Sequence, residues 1–172
     1  MLLAVFGKPT ALSAAFGVPI ALLGEALRCW AVGYSGVTTR GDAVEAPVLV
    51  TAGPYAYVRN PLYVGNVITA AGFTVAFTGA LSPGKTVALA VAGLGTMLAV
   101  YATIVPHEEA FLRGKFGPVF DEYTARVPRV VPRPADDPGQ GTFRAGVIRD
   151  AETRTFVTFG AMLVALAIKA AL

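Results

Sequence analysis

Gly53-Pro54-Tyr55-Ala56-Tyr57-Val58-Arg59-Asn60-Pro61-Leu62-Tyr63-Val64-Gly65 closes a polar loop and opens an apolar run, where the chain passes from water into a greasy interior. Asn60 followed by Pro61 predicts a helix start. The Asn side chain accepts from a free backbone N–H, and Pro at the first helical position gives up a donor the helix does not use. Such a helix turns its unpaired N–H groups and positive dipole end toward the loop. Arg59 adds a full charge there, and Tyr55, Tyr57 and Tyr63 bring rings with polar tips. Taken alone, these residues describe a capped helix with aromatic anchors at a membrane surface.

The rest of the chain has the composition of an integral membrane protein. Its 172 residues bound one domain. Hydrophobic residues make up 55% and charged residues 15%, with a mean hydropathy of +0.61; soluble domains carry about 25% charged residues. The net charge of +3 is no nucleic-acid signature, because the basic residues gather in two loops beside apolar segments. A single cysteine, Cys29, excludes an intramolecular disulfide and offers no metal-ligand spacing, so no metal is expected. No basic stretch precedes the first apolar run and no small-residue cleavage site follows it, so a secretory signal is not expected.

An all-α fold of about four membrane-spanning helices is expected. Residues 11–34 are apolar apart from Glu25 and Arg28, which share a helix face three residues apart and can partly neutralise each other. A stretch of that length, at about 1.5 Å per residue, crosses a hydrocarbon core of about 30 Å. Residues 62–80 and 86–105 carry no charge, and Gly65, Ala70, Ala71, Gly72, Gly93 and Gly95 allow close helix packing. Pro106 is expected to end the third span. Residues 154–172, broken only by Lys169, are just long enough for a fourth. The first polar loop carries Arg40, Asp42, Glu45 and Arg59. In the second polar region, Phe116, Phe120, Tyr123 and Val127 form one apolar stripe that spans the break at Gly117-Pro118. Pro128, Pro132, Pro134 and Pro138 then forbid regular helix. Lys and Arg concentrate in these two loops, which the positive-inside rule places together in the cytoplasm.

His107-Glu108-Glu109 opens the second region directly after the third span. Adjacent helical glutamates point about 100° apart, so they do not serve one surface salt bridge. Solvated pairs four residues apart, Glu109 with Arg113 and Glu122 with Arg126, are the simpler reading. Acids at the mouth of a helical bundle, in the same compartment as Arg59 and a helix N-terminus, instead suit a zwitterionic or cationic ligand.

These stretches, continued through Phe116-Gly117, Tyr123 and Arg126-Val127-Pro128, resemble the isoprenylcysteine carboxyl methyltransferase and phospholipid methyltransferase family of small integral membrane enzymes. The likeness covers roughly residues 50–130, with a weaker echo in Leu27-Arg28 and Trp30-Ala31-Val32-Gly33-Tyr34. It implies a multi-pass membrane enzyme that uses S-adenosylmethionine and releases S-adenosylhomocysteine. By position it implies that Arg59, Asn60, Pro61, Tyr63 and Gly65 line the cofactor pocket. It further implies that Glu108 and Glu109 hold the cofactor's polar groups, and that Arg126 stands near the reacting end. Asn60 occupies a place where the carboxyl methyltransferase branch usually has His and looks more like the phospholipid N-methyltransferase branch. The acceptor therefore stays open between carboxylate and amine.

Methyl transfer from a sulfonium is an in-line displacement governed by positioning. A carboxylate acceptor needs only an arginine such as Arg126 to orient it. An amine must first lose a proton, for which His107 or a glutamate such as Glu109 is available. The expected partners are a lipid or lipid-modified small molecule and the membrane lipids, with no nucleic acid. Two other readings fit the same residues: a membrane reductase using a nicotinamide cofactor, and a non-enzymatic scaffold whose small-residue helices bind partner helices.

Overall fold

A computed structural model describes residues 2–36 and 48–171; Arg40, Asp42 and Glu45 of the first polar loop lie outside them. The described residues form α1 (Leu2–Phe6), α2 (Ala11–Ser35), a 3-10 turn (Gly53–Ala56), α3 (Pro61–Phe77), α4 (Pro83–Ala90), a π-helical turn (Val91–Gly95), α5 (Thr96–Phe116), α6 (Pro118–Arg126) and α7 (Gly146–Ala171). Among them there is no strand, and the all-helical membrane fold read from the sequence stands. Three helices are long and apolar enough to cross a membrane: Ala11–Ser35, the continuous Pro83–Phe116, and Gly146–Ala171. α3 is a shorter apolar helix of 17 residues.

Two boundaries differ from the sequence reading. Pro106 does not end the helix: α5 runs through it to Phe116. The ring costs one N–H of the ladder, a loss that membrane helices tolerate where side chains and neighbouring turns re-satisfy the backbone. Here His107 Nδ1 lies 2.6 Å from the Thr103 carbonyl oxygen, adding a side-chain contact to that turn. The last helix begins at Gly146 rather than near 154, taking Arg149, Asp150 and Glu152 into its first turns.

The chain divides into two compact units. One comprises Met1–Ala26, Gly65–Val100 and Arg154–Leu172; the other comprises Leu27–Val64 and Tyr101–Thr153. In the first, Thr10 and Ser13 exchange backbone-to-hydroxyl hydrogen bonds at 2.9 and 3.1 Å and cap the start of α2. Ala21, Phe73, Ala76, Phe77, Phe159 and Leu166 form its core, with Phe73 and Phe159 in a tilted ring pair. α2 and α3 meet almost backbone to backbone. A Cβ at Gly72 would lie 2.7 Å from the Gly17 carbonyl oxygen and 2.8 Å from Ala21 Cα. Without a hydrophobic drive between helices in lipid, such close approach supplies the dispersion contacts that hold them. Ser13 and Thr69 add hydroxyl donors to the carbonyls of Ala76 and Ala21 at 2.9 and 3.3 Å. Lys169, the one charge in the last apolar run, donates to the carbonyls of Val5 and Gly7.

The second unit is built on the stripe anticipated across the Gly117 break. Gly117 has φ +53°, a left-handed value suited to glycine, and Pro118 restarts the helix as α6. Phe120, Tyr123 and Val127 bury with Leu49 into a small core that Leu112 and Phe116 flank. The Tyr123 hydroxyl donates to the Tyr55 carbonyl at 2.8 Å, tying α6 to the 3-10 turn. In α2 and α7, Arg28 donates to Glu152 Oε2 at 2.8 Å, and both side chains are almost fully buried. Glu152 lay in what the sequence had presented as a polar region.

The α2–α3 contact gives a direct test. Gly72→Ala forces the helices apart and should destabilise the protein by about 2 kcal/mol, read as a lower unfolding temperature in detergent. Gly160→Ala, where a Cβ meets nothing within 4 Å, should leave that temperature unchanged or raise it.

Candidate functional site

The site is assembled inside the second unit from the end of the Gly53–Gly65 stretch, the first turns after Pro106, and the strap that follows α6. Arg59 N donates to the Pro128 carbonyl at 2.8 Å and Arg133 N to the Tyr57 carbonyl at 3.1 Å. The two backbones thus run alongside each other in opposite directions. That pairing sets the Arg59 side chain beneath α6, where its Nη1 donates to the carbonyls of Thr124 and Val127 at 3.0 and 2.7 Å. These are carbonyls at the end of α6 that have no partner within the helix. Its Nε donates to Glu109 Oε1 at 3.0 Å.

Glu109 is the centre. Its side chain is 7% exposed, and Arg129 reaches it from the strap, with Nη2 2.6 Å from Oε2 and Nε 3.2 Å from both oxygens. Asn60 Nδ2 donates to Glu109 Oε1 at 3.4 Å and to the Arg129 carbonyl at 3.2 Å. The Asn60 carbonyl accepts from Val64 N at 3.1 Å, so α3 starts where the Asn-Pro pair predicts. Pro61 is fully buried at its first position. A carboxylate this enclosed is costly unless paired and hydrogen-bonded. Two guanidiniums against one carboxylate satisfy it and leave one positive charge over. Hydrogen bonds to Glu109 raise Arg129 above its ordinary value and keep it charged.

Glu108 has a different environment. Its Oε1 accepts from the Tyr63 hydroxyl at 2.7 Å, and the Tyr63 ring packs against Tyr101 with centroids 4.4 Å apart. Among the described residues no Lys or Arg forms an ion pair with it. The neighbouring acids therefore face separate tasks, as their angular offset on one helix requires. Tyr55 and Tyr123 are phenols held neutral by burial: Tyr55 is pushed up to about 12, and Tyr123 lies well above its usual range.

The remaining candidates stand elsewhere. Arg126 Nη1 pairs with Asp137 Oδ2 at 3.2 Å, both side chains more than half exposed, and lines a polar pocket with Thr51, Tyr123 and Asp136. His107 is exposed and engages its own helix at Thr103. Gly65 belongs to the other unit, where its carbonyl meets Gly24. The simple surface pairs do not form as spaced: Arg113 bonds Asp121 at 2.7 Å, and Glu109 turns to Arg59 and Arg129. Neither Arg129 nor Tyr101 stands out as a site residue from the sequence. For Arg129 the sequence held only a weak signal, a second arginine three residues after Arg126 in a proline-framed stretch.

Residues 12–119 match the phospholipid methyltransferase family. The chain is 33% identical over 123 residues to protein-S-isoprenylcysteine O-methyltransferase B of Arabidopsis thaliana, covering 68% of this chain and 58% of that protein. It is 36% identical over 99 residues to the cobalt-zinc-cadmium resistance protein CzcN of Cupriavidus metallidurans, covering 58% of this chain and 42% of that one. It is 38% identical over 85 residues to the nickel-cobalt-cadmium resistance protein NccN of Alcaligenes xylosoxydans xylosoxydans, covering 49% and 36%. The chain thus spans about half the length, or less, of these relatives. No solved structure matches. Among the described residues no group of three or more His, Cys, Asp or Glu side chains is arranged so that it could hold a metal ion.

Losing the shared carboxylate should cost more than losing the more exposed of its two arginines. Glu109→Gln strands the Arg59 charge, whose side chain is 12% exposed, and should cost about 3 kcal/mol. Arg129→Gln removes a half-exposed partner and should cost about 1 kcal/mol or less. Chemical unfolding of the two variants in the same detergent measures the difference.

Proposed function

The chain belongs to the phospholipid methyltransferase family, and from that premise we propose that it transfers a methyl group from S-adenosylmethionine to a lipidic or amphipathic acceptor at the cytoplasmic membrane face. The observation that carries the reading is the juxtaposition of two unlike carboxylates. Glu109 is consumed by Arg59 and Arg129, whereas Glu108 has a tyrosine hydroxyl and, among the described residues, no ion-pair partner. The donor set fits the cofactor. Glu108, bonded to the hydroxyl of Tyr63, whose ring pairs with Tyr101, suits an ammonium or sulfonium. The surplus positive charge of the Arg59–Glu109–Arg129 cluster and the N-terminus of α3 suit a carboxylate.

When bound, S-adenosylmethionine supplies a methyl group on a positively charged sulfur. The chain's own contribution is orientation. Arg59 is fixed by hydrogen bonds to Glu109, Thr124, Val127 and, through its backbone, Pro128, so its position costs no reorganisation during reaction. Tyr63 holds the Glu108 carboxylate by donating to it. Both carboxylate and amine acceptors remain compatible with these residues. Arg126, exposed and paired with the exposed Asp137, has room to turn toward an acidic acceptor. For an amine, proton removal falls to His107 or a glutamate.

Calorimetry in detergent tests the assignment. S-adenosylmethionine should bind the native chain, and Glu108→Ala should weaken binding by tenfold or more, about 1.4 kcal/mol. Tyr63→Phe should weaken it less, and NADPH should not raise the unfolding temperature. Cofactor affinity unchanged in Glu108→Ala removes Glu108 from the site.

A further inference from the structure

The strap after α6 carries a feature that the methyl-transfer reading does not use. In Arg129-Val130-Val131-Pro132-Arg133, the two valines are 58% and 74% exposed, outside any helix. They are held there from both sides. Pro128 O accepts from Arg59 N before them, and Arg133 N donates to Tyr57 O after them, so the intervening residues project as a tip. Next to the second anchor, Tyr57 forms a tilted ring pair with Trp30 at 6.2 Å, each ring 42% exposed. Paired valines displayed by a braced loop, flanked by arginines and bordered by a Trp–Tyr pair, combine apolar surface, positive charge and amphipathic rings. That is the chemistry of a headgroup–acyl boundary.

We infer that the Val130–Val131 tip dips into the surface of a bilayer containing anionic lipids, with Arg133 on the headgroups and Trp30 and Tyr57 at the same depth. The charge pattern selects this occupant. A protein partner meeting two valines has no need of arginines on both sides, whereas an anionic lipid surface attracts juxtamembrane basic residues. The inference deepens the methyltransferase reading, on which its functional meaning rests, by naming the surface beside Arg129 from which a lipidic acceptor would come.

Trp30 is the single tryptophan, so Trp30→Phe with Val131→Trp moves the fluorophore to the tip of the full chain. In vesicles of phosphatidylcholine with phosphatidylglycerol, lipids brominated high on the acyl chain should quench this tryptophan, and aqueous acrylamide should quench it weakly. Adding Arg133→Glu should at least halve the bromolipid quenching in the anionic vesicles and alter it little in pure phosphatidylcholine. Should the double variant fold poorly, Val131→Cys in a Cys29→Ser background, labelled with an environment-sensitive dye, gives the same reading. Acrylamide quenching equal to that of a free indole overturns the inference, and so does shielding from both quenchers, which means protein covers the tip. An identical response in neutral and anionic vesicles also overturns it. None of these readouts requires methyl transfer or bound cofactor, so failure here is distinct from failure of cofactor binding.

Discussion

A carboxylate withdrawn from water must be met by enough donors, and at Glu109 that requirement organises the surrounding chain. Arg59 reaches it from the segment leading into α3, Arg129 from the strap behind α6, and Asn60 from the cap of α3. Arg59 and Asn60 are neighbours in sequence and Arg129 is distant from both, so satisfying one side chain fixes two separate segments relative to α5. Arg59 does more than neutralise: its second nitrogen closes the C-terminal end of α6, which otherwise presents bare carbonyls to a partly buried space. The net positive charge left over is a consequence of this structural demand as much as of any ligand.

The demand has a complement in Glu108. Because consecutive residues on a helix diverge by about 100°, saturating one acid with arginines leaves the other facing Tyr63 and Tyr101. The helix thereby separates an arginine-rich side from an acidic, aromatic side within a single turn. Bipolar ligands are matched by such a division in a way that a uniformly basic or acidic mouth does not achieve. A ligand carrying both a cation and an anion meets each sign of charge without requiring either group to move.

Lipid imposes the other controlling condition. Backbone polar groups at membrane depth must be satisfied internally, and the described chain meets that almost wholly with helix. Where α2 and α3 approach closely, glycines remove the side chains that would keep the backbones apart, and Ser13 and Thr69 place hydroxyls on opposing carbonyls. The Arg28–Glu152 pair obeys the same logic: charges in long apolar helices persist when each has an opposite charge within hydrogen-bond distance.

Sequence alone determined the properties that are local or cumulative. Composition required a membrane protein; uncharged runs located the apolar helices; Asn60-Pro61 marked the start of α3, and Gly117-Pro118 divided α5 from α6, because caps and breakers act on their nearest neighbours. The resemblance over residues 50–130 selected the family, and the two stretches that carry it do meet, at Arg59 and Glu109. Tertiary structure alone decided which arginine answers Glu109. Arg126 and Arg129 are three residues apart in a proline-framed segment, and only the antiparallel return of the strap along Tyr57–Arg59 turns Arg129 inward while Arg126 goes to Asp137. It also decided that α5 continues through Pro106 and that Glu152 belongs with Arg28, since the energy of a buried charge depends on what stands opposite it in space, which one-dimensional spacing does not encode.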